Sequence, residues 1–213
     1  MYVPPHFDEP RTEVLHDLIR QHPLGALVTH GADGLDANHL PFELLPGQGA
    51  LGTLSAHVAR ANPLWREVKD GDEVLVIFQA GDAYISPNWY PSKHEEHRQV
   101  PTWNYMVVHA HGRIRVHDDE RFVRALVGRL TKTHEASQPA PWKMSDSPRE
   151  FIDTLLGTIV GIEIEITRLA GKSKLSQNKE VRDLRGAAGV LHTGGQDAIA
   201  EAMLACASAK AQD

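Results

Sequence analysis

Residues 161–169 read GIEIEITRL, and their alternation decides what kind of element they form. Ile162, Ile164 and Ile166 share one face while Glu163 and Glu165 share the other, the two-residue period of a strand with one face in the core. Working outward, short apolar stretches recur at close spacing. TWNYMVVHAHGRIRVH at 102–117 reads as a long strand, with EVLVIFQA at 73–80 and AYIS at 83–86 as two shorter ones. LGALVTH at 24–30 and ANHLPFEL at 37–44 flank GADG, a hairpin signal, and GALGTLSA at 49–56 reads as another strand.

Helical periodicity is confined to a few places. At about 12–21, Val14, Leu15, Leu18 and Ile19 share a face and Pro23 stops the helix. A second helix is predicted at about 119–133, capped by Asp118, with Phe122, Leu126 and Leu130 on one side. A third runs to about 157, with Ser147 as N-cap, Pro148 in the first position and Glu150 closing a capping box. Two more stand near 179–190 and 196–209, parted by Gly194-Gly195. Closely spaced strands with few interposed helices predict a mainly β fold, an antiparallel barrel with peripheral helices, and not a doubly wound sheet. No linker or repeat interrupts the chain, so one domain is expected over 1–213, with a C-terminal helical segment at about 176–210.

The 213 residues, at roughly 150 per domain, agree with that expectation. With 41% apolar and 23% charged residues the chain can bury a core, which excludes a disordered protein. The single Cys206 excludes an internal disulfide and suits a reducing compartment. The first twenty residues lack the pattern of a signal peptide, and no apolar run approaches the ~18 residues of a membrane span. A cytoplasmic protein with no membrane partner is expected. The net charge of −6 argues against non-specific DNA binding. Only 171–190 is basic: Lys172, Lys174, Lys179, Arg182 and Arg185 against Glu180 and Asp183, five minus two, or a local +3.

Thirteen histidines invite a metal. His109 and His111 share a strand face, but two ligands are not a site and no third accompanies them. His94 and His97 lie in a loop without helical ligand spacing. No metal site is expected. Gly47, Gly49 and Gly52 match G-x-G-x-x-G, yet they lead into a strand and not a helix, so they read as a hairpin loop. Cys206 sits in an Ala-rich helix and reads as packing.

Three segments carry more chemistry. LSAHVARANP at 54–63 gathers Ser55, His57, Arg60 and Asn62 about a strand end and a tight turn, the donors a phosphate monoester needs. A capped turn with a surface arginine would read the same. ISPNWYPSKHEEHRQVPTWNY at 85–105 crowds Trp89, Tyr90, Trp103 and Tyr105 among prolines, either a cover for a flat ring or a small apolar core. GKSKLSQNK at 171–179 offers lysines to a phosphate or to solvent, before Ser176 caps the next helix.

Together MYVPPHF at 1–7, LPFEL at 40–44, GTLSAHVARANPLW at 52–65, YISPNWYPSK at 84–93, VPTWNY at 100–105 and KLSQNK at 174–179 resemble the PaiB-type proteins. That family is one of FMN-binding negative transcriptional regulators. The resemblance spans essentially the whole chain. It implies an FMN-binding split β-barrel that forms a homodimer, with FMN in a cleft shared between subunits. It also implies kinship with pyridoxamine-phosphate oxidases and flavin reductases. Carried onto this sequence, the strand containing Asn38 and His39 would lie along the isoalloxazine, and Ser55, His57, Arg60 and Asn62 would sit at the phosphate turn. Trp103 and Asn104, with Lys174 and Gln177, would complete the cleft from the same subunit or the other. An FMN-dependent oxidoreductase is the alternative. A haem-handling protein, with His192 as axial ligand, ranks third. If DNA is a partner, 171–190 is the segment to meet it.

Overall fold

Each local pattern becomes an element for a nameable reason, and the computed structural model describes residues 1–212. In chain order these are β1 (Asp8–Glu9), α1 (Thr12–Gln21), β2 (Leu24–Gly31), β3 (Gly34–Pro41), β4 (Glu43–Leu45), β5 (Thr53–Ala59) and α2 (Leu64–Glu67). There follow β6 (Glu73–Ile85), α3 (Pro91–Glu96), β7 (Thr102–His117), α4 (Glu120–Glu135), α5 (Arg149–Leu156), β8 (Ile159–Lys174), α6 (Val181–Thr193) and α7 (Asp197–Lys210). The strands hydrogen-bond in the order β3-β2-β6-β7-β8-β5-β4, and β1 pairs with β8. Among the described residues no helix is long and apolar enough to cross a membrane.

The chain divides into two compact units, one of residues 19–78 and 109–169, the other of 1–18, 79–108 and 170 onward. The first is the strand unit. Its β2–β3 hairpin runs in antiparallel register from Leu24↔Pro41 to Gly31↔Gly34, leaving a two-residue turn at Ala32-Asp33. Gly34 there has φ +108°, which a side chain would resist. β5 pairs with β4 on one side and with β8 on the other, Thr53 facing Glu165 and Ala59 facing Ile159. Leu54, Ala56 and Val58 of β5 are buried, as are Ile162 and Ile164 of β8 and Ile114 of β7, as the alternation requires. On α4 and α5, Val123, Ile152 and Leu156 form a second cluster with Phe122, Val127 and Met144 beside it.

The other is the helical unit. Ala187, Ala188 and Leu191 of α6 meet Ile199, Ala200 and Met203 of α7, with Ala83, Ile85, Tyr90 and Leu175 in the same core. Gly186 allows a close approach to backbone in this unit. A Cβ there would lie 2.6 Å from the Trp89 carbonyl oxygen, so α6 can reach residues 87–91 only through a glycine.

Several boundaries differ from the sequence reading. Residues 73–85 form one strand where two were expected, with Gly81 at φ +82° inside it. The segment 37–44 breaks at Phe42, whose N–H bonds the Pro23 carbonyl at 2.8 Å. The strand at 49–56 begins only at Thr53 and runs to Ala59. The helix after β7 is capped by Asp119, which accepts from the Phe122 N–H, and not by Asp118. Ser147 does not cap α5; Pro148 stands at that position without a side-chain bond. Ser176 is buried with φ +65° and caps nothing, since α6 begins after Glu180.

Candidate functional site

Within the strand unit, the end of β5 and the turn after it bring four of the expected residues together. Ser55 and His57 are two apart on β5 and so share a face. Ser55 Oγ and His57 Nδ1 are buried and, among the described residues, have no hydrogen-bond partner. Such orphaned polar atoms are rare in folded proteins because each forfeits its bonds to water. Burial also holds the His57 imidazole below its ordinary pKa, which keeps it neutral near pH 7. A cavity of about 310 Å³ opens on His57 and is lined further by Pro41, Leu130, Thr131, His134 and Trp142.

The turn itself is pinned from β3. Asn62 Nδ2 donates to Asn38 Oδ1 at 2.7 Å, and Asn62 Oδ1 accepts the Leu64 N–H at 2.9 Å. His39, the next residue on β3, is exposed, because adjacent strand residues point to opposite faces. Asn38 and His39 therefore cannot lie on one ring face from the same side of the strand. Arg60 is held on three sides. Its Nη1 and Nη2 bond Asp118 at 2.9 and 2.5 Å, and Nε donates to the Gly157 carbonyl at 2.8 Å. The Asp118 partnership raises the Arg60 pKa and lowers that of Asp118.

Within the helical unit, the four remaining residues form a second constellation. Asn104 is fully buried. Ser176 Oγ lies 3.0 Å from its Nδ2 and 2.9 Å from the Tyr90 hydroxyl. Lys174 Nζ donates to Thr102 Oγ1 at 2.5 Å and to the Trp103 carbonyl at 2.7 Å, and burial lowers its pKa. Gln177 staples its own loop: its Nε2 donates to the Ser173 carbonyl at 2.5 Å, and its Oε1 accepts the Leu175 N–H at 2.8 Å. Trp103 is 55% exposed and stands edge-on to Tyr84 at 6.0 Å, which is in turn edge-on to Trp89 at 6.4 Å. Tyr90, read in the sequence as one of four clustered aromatics, and Ser176, read as a helix cap, are the members of this constellation not expected to meet the cofactor.

The remaining candidates are accounted for elsewhere. His109 and His111 keep their rings 6.4 Å apart, and His111 Nε2 faces Arg168 Nη2 at 2.9 Å. No group of three metal-ligating side chains occurs among the described residues. His192 Nδ1 is 2.7 Å from Asp197 and the ring is largely exposed. The basic stretch is mostly spoken for: Lys172 bonds the Tyr2 carbonyl, Lys179 bonds Gln99, and Arg182 is clasped by Glu95 and Glu180.

A family model described as "Putative FMN-binding domain" matches residues 1–168. The chain belongs to that family. The PaiB-type resemblance is borne out by a Bacillus subtilis relative, "Protease synthase and sporulation protein PAI 2", which is 30% identical over 86% of this chain and 85% of its own. An uncharacterised protein of Emericella nidulans is 32% identical over 93% of each chain. Among solved structures, the FAD and heme binding protein from Mycobacterium smegmatis aligns with a TM-score of 0.57 at 17% identity, covering 78% of this chain and 73% of that one. The flavocytochrome Anf3 from Azotobacter vinelandii gives 0.57 at 12%, covering 82% and 72%. At those identities the likeness is one of fold. These neighbours are split-barrel proteins, and this chain has that fold, an antiparallel eight-stranded sheet with C-terminal helices.

Proposed function

We propose that the chain is an FMN-binding protein whose strand unit supplies the phosphate end of the site. The observation that carries this reading is the pair of orphaned atoms, Ser55 Oγ and His57 Nδ1, on one face of β5 beside the Asn38–Asn62 clasp. A hydroxyl and a neutral imidazole without partners fit a ligand rich in hydrogen-bonding oxygens, as a ribityl phosphate is. Arg60 serves by holding the turn, since its fork is already engaged by Asp118. Asn104, Lys174 and Gln177 shape the segment that presents Trp103. FMN, when bound, supplies one- and two-electron transfer. We further propose that a second copy of the chain completes the cleft, which the exposed Tyr84 and Trp103 support as a face in want of cover.

Fluorescence titration of the purified protein with FMN tests the reading. One FMN per chain is expected, with riboflavin weaker for want of the phosphate, and Ser55→Ala weaker than the parent. Absence of flavin binding, or equal affinity for riboflavin, overturns it. The regulator role that the PaiB-type resemblance carries is the finer part of the proposal. Three of the five cations at 171–190 are bound to uncharged groups of their own unit and Arg182 to two carboxylates, so direct DNA contact would have to displace them. A salt-sensitive gel shift would support the regulator. Its absence, with turnover from a nicotinamide donor, would favour the oxidoreductase.

A further inference from the structure

We propose that the cavity between the end of α4 and residues 141–144 binds a flat aromatic carboxylate; it adjoins the cavity on His57, with which it shares Thr131, Glu135 and Trp142. It holds about 440 Å³, within the range of small-molecule sites. The floor is apolar and open because position 128 carries no side chain. A Cβ on Gly128 would come within 3.3 Å of the Met144 methyl, and the Trp142 ring forms the adjoining wall.

Charge selects the ligand. Lys132 lies one helical turn beyond Gly128 on the same face of α4, and Lys143 also lines the cavity. Neither ammonium group has an acceptor among the described residues, in contrast to the lysines of 171–179. Glu135 is the one carboxylate in the lining, and its Oε2 already accepts the Trp142 N–H at 2.9 Å. Two lysines against one glutamate leave the opening at +1. A neutral arene would leave both ammonium groups unused, and a cation would be repelled by them. A planar anion stacks on Trp142 and meets both lysines.

Isothermal titration of the full chain with 2-naphthoate, using 2-naphthamide as the neutral comparator, tests the site. One naphthoate per chain is expected, with the amide bound at least about fivefold more weakly. The double variant Lys132→Gln/Lys143→Gln should weaken naphthoate about five- to tenfold and leave the amide unchanged. Gly128→Leu should fill the cavity and remove both, and the lysine variant decides the matter should that one not fold. No binding of naphthoate, equal affinity for the amide, or an unaffected lysine variant would each overturn the proposal.

Discussion

Arg60 and Asp118, 58 residues apart in sequence, meet as a two-pronged pair that ties the turn after β5 to the end of β7. The pair is half exposed, so its worth lies in geometry more than in stability. Residues that act as one unit do not add when removed. Arg60→Ala and Asp118→Asn should therefore each weaken FMN binding by a similar few-fold, and the double variant should be no worse than either. A fluorescence titration that found Asp118→Asn tightening FMN would instead make Arg60 a direct phosphate ligand.

Stability should fall with acid through the histidine range. Burial lowers the pKa of His57, His109 and His111 in the folded chain. In the unfolded chain an imidazole takes its proton near pH 6.5. Below that pH the unfolded state binds more protons, so stability is lost as pH drops through about 6.5 and levels off beneath the folded values. His111 adds to the slope, since protonation ends its acceptance from Arg168. Melting temperature measured between pH 8 and 5 should decline, and His57→Gln should flatten the curve.

Gly186→Ala is expected to destabilise by about 1–3 kcal/mol, because the new methyl meets a backbone oxygen and not a movable side chain. Helix propensity alone would favour alanine by about 1 kcal/mol. Urea denaturation decides between the two signs.

Ser176 holds a left-handed backbone and a buried hydroxyl at once. Ser176→Ala loses the bonds to Tyr90 and Asn104 and keeps the strain; Ser176→Gly loses the bonds and relieves it. Both should destabilise, the alanine variant by about 1 kcal/mol more. Equal losses in chemical denaturation would mean the backbone at 176 is not strained.

Patterned segments are legible in the sequence itself. The strand at 102–117 appears with those limits as β7, and α1 and the Ile162–Ile166 alternation stand as read. Single-residue roles are not. Nothing near Asp118 in sequence signals Arg60, since the partner comes from a different strand, and the adjacent Asp119 competes for the same cap. Gly81 looks like a turn because the strand-continuing use of φ +82° depends on neighbours far along the chain. The donors at 54–63 and the lysines at 171–179 are legible as chemistry in the sequence, and the resemblance adds Asn38, His39, Asn104 and Gln177. Their division into a β5 group and an Asn104 group follows from packing, which no local motif encodes.

The Asn104–Ser176–Tyr90 knot joins parts of the chain that are made at different times. The strand unit is complete once residue 169 has been synthesised, whereas the helical unit also needs residues 1–18 and the partners of Asn104 as far along as Met203. At ordinary ribosomal rates that leaves roughly 2–8 s in which residues 1–18 and 79–108 stand without residues 170–210 of their unit. During that interval the apolar face of α1 and the stretch 79–108 are without their final neighbours. Nascent-chain stalling, chaperone demand and sensitivity to truncation should accordingly concentrate in the last forty-odd codons.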